Sequence, residues 1–366
     1  MGTLTSPKLI EPVQIGLGLA LFSLNLVTYT LVTVIPGCDP GRVQVPSLVP
    51  AAARLAQLLT AGGTAMADPQ GAGVLEFEST LTLRPLVRTV APADTWAVDG
   101  GQGRVADARC LALVVTRAAR VRFQSGGCVL EDEGELRAAL LGAGEERATL
   151  SHLGFDLPSD TPVDINLLRD AAEWAAVAQC VEEADAGALV LVDGDLLPDW
   201  RIPRAHVGAL LTRAAGRGVT VVGVTKHTSL SRGGAPLLGQ LEREAESLLG
   251  PRELWWLPVA RTRPEGLGLQ VVAARLDPDA RFSFRIDLPE SADAAAVLGA
   301  LSALCDDAAF PGYPYPLAVA DRLAACPPWL SQEVRFELED HFDIAGVPLD
   351  VRERAFADRH ALMERA

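Results

Sequence analysis

Short apolar runs alternate with amphipathic stretches along most of the chain. The runs at 188–192 and 219–224, rich in Val and Leu, have the length of buried β-strands. Apolar residues recur at helical spacing over 162–184, where Asp160 or Thr161 is a plausible helix cap, and again over 203–215. Strand, helix, strand, helix, strand predicts a mixed sheet covered by helices, an α/β fold.

The same patterns predict further elements on both sides of this region. Helices are predicted near 49–59, 236–249, 292–305, 316–325 and 351–364, and a helical insertion at 132–150. Strands are predicted near 74–83, 95–99, 110–116, 120–124, 129–131, 253–259, 267–276 and 281–286. The glycine pair at 100–101 follows a strand and predicts a turn.

The N-terminal region has a different character. Residues 15–35 are 21 consecutive uncharged and mostly apolar positions, which is long enough to cross a hydrocarbon core of ~30 Å. A membrane anchor, a processed signal ending near Cys38, and an extension created by a start codon set too far upstream all fit this pattern. We favour the last, because the rest is typical of an intracellular protein. We therefore expect an extension at 1–45, a catalytic domain at 46–366 with its core at about 95–230, and a cytoplasmic location, with anchoring through 15–35 as the alternative.

Composition narrows the class of protein. The chain has 366 residues, is 49% hydrophobic and contains six cysteines with no Cys-x-x-Cys pair, so it is an ordered protein without the signature of a zinc ribbon or an iron–sulfur cluster. Its formal net charge of −15 argues against a protein that coats DNA through overall electrostatics.

One basic region stands out within this acidic chain. Residues 201–232 include six Lys or Arg residues and no Asp or Glu. This is either a solvated helix face or a surface that faces phosphates, and we favour the second, with Arg201, Arg204 and Arg232 as candidate DNA contacts. The chain has only two lysines, Lys8 and Lys226. A lysine kept at the end of a strand suggests a need for a compact ammonium group.

Three acidic residues are candidates for a metal site. Asp99 and Asp193 each end an apolar run and precede glycine, and Glu173 lies on the helix between them, one turn after Arg169. Asp-Gly is also a common turn pair, but three carboxylates in the order strand, helix, strand point to a divalent cation. Two ions held ~3.5–4 Å apart can drive phosphodiester hydrolysis, and ligands that are all oxygen favour Mg²⁺ or Mn²⁺. Lys226 could then neutralise the scissile phosphate or orient water.

Five motifs in order resemble those of the NurA nuclease family. They are Ala97-Val98-Asp99-Gly100-Gly101, Arg169-x-x-x-Glu173, Leu191-Val192-Asp193-Gly194-Asp195-Leu196, Val222-Gly223-Val224-Thr225-Lys226, and Tyr313-Pro314-Tyr315-Pro316-Leu317 through Ala320-Asp321. The resemblance implies a ribonuclease H-like core and a ring-like homodimer. It also implies Mn²⁺-dependent single-strand endonuclease and 5'-to-3' exonuclease activity, and partnership with the hexameric HerA translocase in the resection of DNA double-strand breaks.

Carried over by position, the resemblance makes Asp99, Glu173 and Asp193 metal ligands and matches Lys226 to the family's lysine. Two positions depart from the family pattern: the usual Asp-Gly-Ser is Asp-Gly-Gly here, and Asp321 stands in place of a late histidine. A carboxylate there still suits a hard cation, so Asp321 is included among the expected catalytic and metal-binding residues. Tyr313 is expected near the site as a DNA contact, or as a core aromatic.

Two other functions fit parts of the pattern. A sugar-kinase-type or actin-like ATPase also has Asp-Gly turns near phosphates, but it needs a second glycine-rich loop late in the chain, and 287–366 has none. A non-catalytic DNA-end scaffold for the translocase would not need the full set of acidic residues.

Overall fold

The computed structural model describes residues 47–60, 63–69, 74–357 and 363. The predicted extension at 1–45, with its apolar segment, lies outside these residues. Within the part that is described, no helix combines the length and apolar character needed to span a bilayer. Contacts divide the chain into two units, Met1–Leu55 and Ala56–Ala366. The second unit holds every candidate site residue, and the expected domain boundary at 45/46 stays a prediction.

The described chain forms short and long strands. They are β1 Met66–Ala67, β2 Leu75–Phe77, β3 Arg84–Pro85, β4 Asp94–Asp107, β5 Ala112–Gln124, β6 Gly127–Asp132, β7 Arg137–Leu141, β8 Leu189–Asp193, β9 Thr220–Thr225, β10 Ser231–Arg232, β11 Ala235–Pro236, β12 Trp255–Thr262, β13 Leu269–Arg275 and β14 Phe284–Pro289.

The helices are α1 Leu48–Thr60, α2 Glu146–His152, α3 Ile165–Glu183, α4 Arg204–Gly216, α5 Leu237–Leu248, α6 Ala294–Ser302, α7 Tyr315–Ala324, α8 Pro328–Ile344 and α9 Leu349–Phe356.

Most strands belong to one sheet of 11 strands, in the order β2-β12-β13-β14-β9-β8-β4-β5-β6, with β3 beside β12 and β7 beside β5. In its centre, β4, β8 and β9 run parallel. The long strand β5 is antiparallel to β4, and β14 is antiparallel to β9. The mixed α/β sheet predicted from the sequence is confirmed.

Each face of the sheet has its own core because side chains alternate along the strands. Trp96, Val98 and Val192 pack with α2, α3 and α4 on one side, which we call the α3 face. Ala97 and Leu191 pack with α6 and α7 on the other side, the α7 face. A third cluster joins β12 and β13 to α5.

Several predicted boundaries were wrong. The glycines at 100–101 do not form a turn, because β4 continues through them to Asp107. The predicted strands at 110–116 and 120–124 are the single strand β5. The region 132–150, predicted as helical, contains β7 before the short helix α2. Helix α8 was not predicted, and none of its residues is buried, so it lacks a strong core-facing signal.

Helix α3 begins later than the sequence suggests. Its cap is Asp164, whose side chain accepts a hydrogen bond from the Leu167 amide at 2.9 Å. A carboxylate in this position satisfies one of the free N–H groups of the first turn. The helix then runs unbroken to Glu183 and carries Glu173 on its way.

Candidate metal centre

Asp99 and Asp193 lie side by side because their strands are parallel neighbours. Val98 of β4 pairs with Val192 of β8, and each is followed by an aspartate. Ala97 faces α7, so alternation points Asp99 to the same side. Strand β8 ends at Asp193, which leaves this carboxylate at the carboxyl edge of the parallel strands, where ligands of open α/β sheets bind.

Helix α7 brings a third carboxylate to the same place. One oxygen from each of Asp99, Asp193 and Asp321 lies within 4.8 Å of the others. We call these three residues the acidic cluster. Asp99 is 9% exposed and the Asp193 side chain is 15% exposed, whereas the Asp321 side chain is 56% exposed. The cluster is therefore open to solvent on the side of Asp321.

Lys226 reaches into the cluster from the end of β9. Its Nζ lies 2.8 Å from Asp193 Oδ2 and 3.0 Å from Asp321 Oδ1. The ammonium group also lies 4.8 Å from the centre of the Tyr313 ring, close enough for a cation–π contact. Burial lowers the pKa of Lys226, but the hydrogen bonds and charges of the two aspartates outweigh it and raise that pKa overall.

The pKa of Asp99 is raised in this arrangement. Burial, and then the charge of Asp193, raise the pKa of Asp99 from its ordinary value of 3.8 to about 7. A hydrogen bond of 2.7 Å from the Gly100 amide and the charge of Lys226 act in the opposite direction. Carboxylates this close repel one another. The single ammonium group of Lys226 neutralises only part of the negative charge of the cluster.

Glu173 approaches from the α3 face and does not belong to the acidic cluster. Its Oε1 lies 3.2 Å from Arg169 Nε, and it sits directly over the backbone of Gly100, where a Cβ would lie 2.1 Å away. Burial raises the pKa of Glu173 well above its usual range, against the charge of Arg169, and the charges of Asp170, Asp99 and Asp193 add to the rise. Glu173 is thus close enough to feel the cluster, and its role as a ligand stays a prediction.

The glycine pair lets both helices come close to β4. Gly100 leaves room for Glu173 of α3 on one face. A Cβ on Gly101 would lie 1.7 Å from the carbonyl oxygen of Ala324, at the end of α7. Arg117 holds the same end of α7 by donating to the carbonyls of Ala324 at 3.1 Å and Ala325 at 2.5 Å. The departure from Asp-Gly-Ser therefore has a steric reason in this chain.

Tyr313 is buried beside the cluster. It is 7% exposed and packs with the core on the α7 face. Its hydroxyl makes no hydrogen bond of standard geometry within the described residues, although burial and then the charge of Asp193 raise its pKa. The structure therefore places Tyr313 against Lys226, and its predicted contact with DNA stays a prediction.

Most of the basic region is used in ion pairs. Arg201 pairs with Asp199 at 2.8 Å and with Asp164 at 3.1 Å, so that only 7% of its side chain is exposed. The other pairs are Arg213 and Arg217 with Glu182, Arg232 with Glu244, and Lys226 with the acidic cluster. Within the described chain, only Arg204 of the six lacks a carboxylate partner and is exposed. DNA contacts by Arg201, Arg204 and Arg232 stay predictions, and the pairing of Arg201 and Arg232 weakens the case for those two.

A buried ion pair on β14 was not predicted from the sequence. Arg285 and Asp287 alternate with apolar residues on β14 and are 2% and 0% exposed. A charged residue at every second position of an apolar strand is the signal that could have identified them, because charged side chains are rarely buried unless paired.

The carboxylates of the cluster suit a hard divalent cation. They offer only oxygen ligands and are close together, and the charge of Asp193 adds to the effect of burial in raising the pKa of Asp99. Such a set fits Mg²⁺ or Mn²⁺ better than zinc, which prefers nitrogen and sulfur.

The NurA domain family matches residues 93–326, a span that contains the whole acidic cluster. No curated protein matches the chain. Among solved structures, the NurA nuclease from Sulfolobus solfataricus is 14% identical, with a TM-score of 0.52. The match covers 88% of this chain and 98% of the Sulfolobus chain. Another NurA structure is 9% identical, with a TM-score of 0.42 and coverage of 74% and 92%. The catalytic domain of human Endonuclease V is 17% identical, with a TM-score of 0.37 and coverage of 84% and 100%. The similarity to the Sulfolobus structure confirms the predicted nuclease fold of the ribonuclease H-like type.

Proposed function

Because the chain belongs to the NurA family, we propose that it is a metal-dependent deoxyribonuclease that hydrolyses phosphodiester bonds at the acidic cluster. The observation that carries the proposal is the convergence of Asp99, Asp193 and Asp321 within 4.8 Å. Its activities are single-strand endonuclease and 5'-to-3' exonuclease, used in the resection of DNA double-strand breaks. A DNA substrate agrees with the cytoplasmic location expected from the sequence.

The acidic cluster holds the metal in this proposal, with Glu173 as a further ligand. A pair of Mn²⁺ or Mg²⁺ ions would supply an activated water and neutralise the charge on the leaving oxygen. Asp99 and Asp193 are fixed by neighbouring strands, so they set the position of the site. Asp321 lies on the exposed side, where substrate can enter.

Lys226 contacts the scissile phosphate in this proposal. Its ammonium now neutralises Asp193 and Asp321, a task that divalent cations would take over. Its position against the Tyr313 ring limits where the group can go. A compact ammonium on a flexible stem suits this exchange better than a planar guanidinium.

The direct test is an assay of the purified protein on end-labelled single-stranded DNA with Mn²⁺, Mg²⁺ or EDTA. We expect cleavage with a divalent cation and none with EDTA, and the lengths of the products report the polarity. DNA binding without cleavage under every metal condition would support the scaffold instead. ATP hydrolysis without nuclease activity would support the actin-like ATPase.

A homodimer and a HerA-type hexameric ATPase are the proposed partners. Helix α8 supports an interface, because it has no buried residue and exposes Trp329 by 59%, Phe336 by 63% and Ile344 by 83%. Large apolar side chains grouped on one helix are typical of interaction sites. Sedimentation equilibrium gives the mass of the assembly, and a monomer at micromolar concentration would argue against the dimer.

Metal affinity should depend on pH, because the proton on Asp99 competes with the cation. With a pKa of about 7, Asp99 is mostly protonated at pH 6 and ionised at pH 8, and metal binding needs the ionised form. We expect the apparent Kd for Mn²⁺ to fall about tenfold between pH 6 and 8, as measured by titration calorimetry. An affinity that does not change over this range would contradict the raised pKa.

Replacing Lys226 by Arg should lower kcat while leaving the fold intact. The guanidinium keeps the charge, but it is larger and planar, and it cannot occupy the same point between Asp193 and Asp321. We expect a loss of about 10-fold to 100-fold in kcat, in the range typical of a group that acts on the reacting atoms. Full activity in Lys226→Arg would refute the specific role of the lysine.

A further inference from the structure

Two charged residues of β14 form an ion pair inside the sheet. Arg285 Nε lies 2.8 Å from Asp287 Oδ1, and its second guanidinium nitrogen lies 2.9 Å from Oδ2. This two-pronged geometry is the strongest form of such a pair. Removing two charges from water is nevertheless costly. Replacing a buried ion pair by apolar residues of similar volume often leaves the stability of a protein unchanged or increases it. Stability alone therefore does not account for this pair, and its other contacts are informative.

The pair holds the loop that follows β8. Asp287 Oδ2 accepts a hydrogen bond from the Leu196 amide at 3.2 Å. The remaining nitrogen of the Arg285 guanidinium lies 3.4 Å from Asp195 Oδ2. The other oxygen of Asp195 accepts from the Leu197 amide at 3.1 Å. Backbone and side-chain contacts thus attach this loop to β14, two strands away from β8.

Gly223 makes this long-range contact possible. It lies on β9, between β8 and β14, and pairs directly with Asp287. A Cβ on Gly223 would lie 2.7 Å from the Gly194 carbonyl oxygen and 3.1 Å from the Leu196 amide. Because glycine has no side chain, the loop can lie flat against β9 and reach Asp287.

The loop begins at Asp193, the last residue of β8. The ladder with β9 continues for one more hydrogen bond, from the Gly194 amide to the Val224 carbonyl at 3.0 Å. Gly194 then has a φ of +124°, which turns the chain back over β9. The backbone beyond Asp193 is therefore fixed on one side by β9 and on the other by the Arg285–Asp287 pair.

We propose that Arg285 and Asp287 are positioning residues that hold the loop after β8 and thereby keep the Asp193 carboxylate at the acidic cluster. This inference rests on the proposed function, because it assigns a supporting role at the same metal site. Ile286 packs on the α7 face, so alternation along β14 puts Arg285 and Asp287 on the opposite face, the side where Leu196 is buried. The two residues therefore act from the side of the sheet opposite the cluster. They do not touch metal or substrate.

The chain contains a matched control pair at the other end of β8. Arg122 forms the same two-pronged contact with Asp94, at 2.8 and 3.0 Å. Asp94 is also buried and accepts a hydrogen bond from a loop amide, that of Asp185 at 2.9 Å. This loop precedes β8 and leads away from the acidic cluster. Loss of either pair should cost stability, but only loss of the Arg285 pair should affect the metal.

The test measures Mn²⁺ affinity by titration calorimetry and thermal stability for the full chain and its variants. We expect Arg285→Met to weaken Mn²⁺ binding about 10-fold to 100-fold, as is typical when a group that orients a metal ligand is lost. Arg122→Met should lower the melting temperature by a similar amount and leave the Kd within about twofold of that of the unchanged protein.

A second variant covers the case in which Arg285→Met does not fold. Arg285→Lys keeps the buried charge and loses the two-pronged contact, and it should still weaken Mn²⁺ binding several-fold. Equal Kd values for the unchanged protein and a folded Arg285 variant would overturn the inference and leave the proposed function standing. Failure of the unchanged protein to bind Mn²⁺ would instead reject the proposed function itself.

Discussion

Replacing Asp99 by Asn is expected to abolish metal-dependent cleavage and, at the same time, to stabilise the metal-free protein. The amide keeps the shape of the side chain but removes the negative charge that the cation needs. Since Asp99 is the most deeply buried member of the acidic cluster, no other carboxylate of the cluster can take its place. We expect kcat to fall by a factor of at least about 1,000, the size of effect seen when a central electrostatic group is removed.

The gain in stability follows from the pKa of Asp99. The pKa of Asp99 rises from 3.8 to about 7 on folding. Between these two pH values, the folded state therefore keeps a proton that the unfolded state has lost. The stabilisation from this proton is complete below pH 3.8 and is lost as the pH rises through 7. Each pKa unit corresponds to about 1.4 kcal/mol. We therefore expect Asp99→Asn to raise the free energy of unfolding by about 1–3 kcal/mol at pH 8 in EDTA, measured by urea denaturation.

The control for this variant is Asp306→Asn, an equal chemical change at an exposed position in the loop between α6 and α7. It should leave both cleavage and unfolding unchanged. DNA binding by Asp99→Asn should remain measurable in a gel-shift assay. Cleavage at the normal rate by Asp99→Asn would refute the assignment of this residue. A gain in the free energy of unfolding, relative to the unchanged protein, that is the same at pH 5 and pH 8 would refute the raised pKa of Asp99.

The strands that carry Asp99 and Asp193 were predictable because their signal is local. Each is a short apolar run that ends in an acidic residue, and the neighbouring positions of the two strands follow from their parallel order. Asp321 is different. It is 128 positions after Asp193, and only the resemblance to a family suggested that α7 returns to the same edge of the sheet.

The basic region could not be interpreted from its own residues. Arg201 and Arg232 look free within a span that has no acidic residue. Arg201, however, pairs with Asp199 just before the span and with Asp164 at the start of α3, and Arg232 pairs with Glu244 of α5. The turn predicted at Gly100 failed for a related reason. Glycine in a strand also permits close approach of another element, and here two helices approach from opposite faces. The Arg285–Asp287 pair was not predicted, because the loop that it contacts lies about 90 positions earlier in the chain.

A single methyl group added at Gly101 is expected to destabilise the fold and weaken the metal site together. The new Cβ would lie 1.7 Å from the Ala324 carbonyl oxygen and 2.7 Å from its carbonyl carbon. These are backbone atoms at the end of α7, so they cannot turn aside as a flexible side chain can, and the helix has to move. Helix α7 carries Asp321 one turn earlier, and its displacement pulls that carboxylate away from the cluster.

We expect Gly101→Ala to lower the free energy of unfolding by about 1–3 kcal/mol or more, as overpacking of a core does. The Kd for Mn²⁺ should rise in the same variant. Gly239→Ala is the matched control, because it lies in α5 with no atom within 4 Å of the new Cβ, and alanine there should stabilise the helix by up to about 1 kcal/mol. Denaturation and calorimetry of both variants decide the question. If Gly101→Ala unfolds at the same urea concentration as the unchanged protein, the close contact between β4 and α7 does not exist, and Asp321 loses the support that holds it at the cluster.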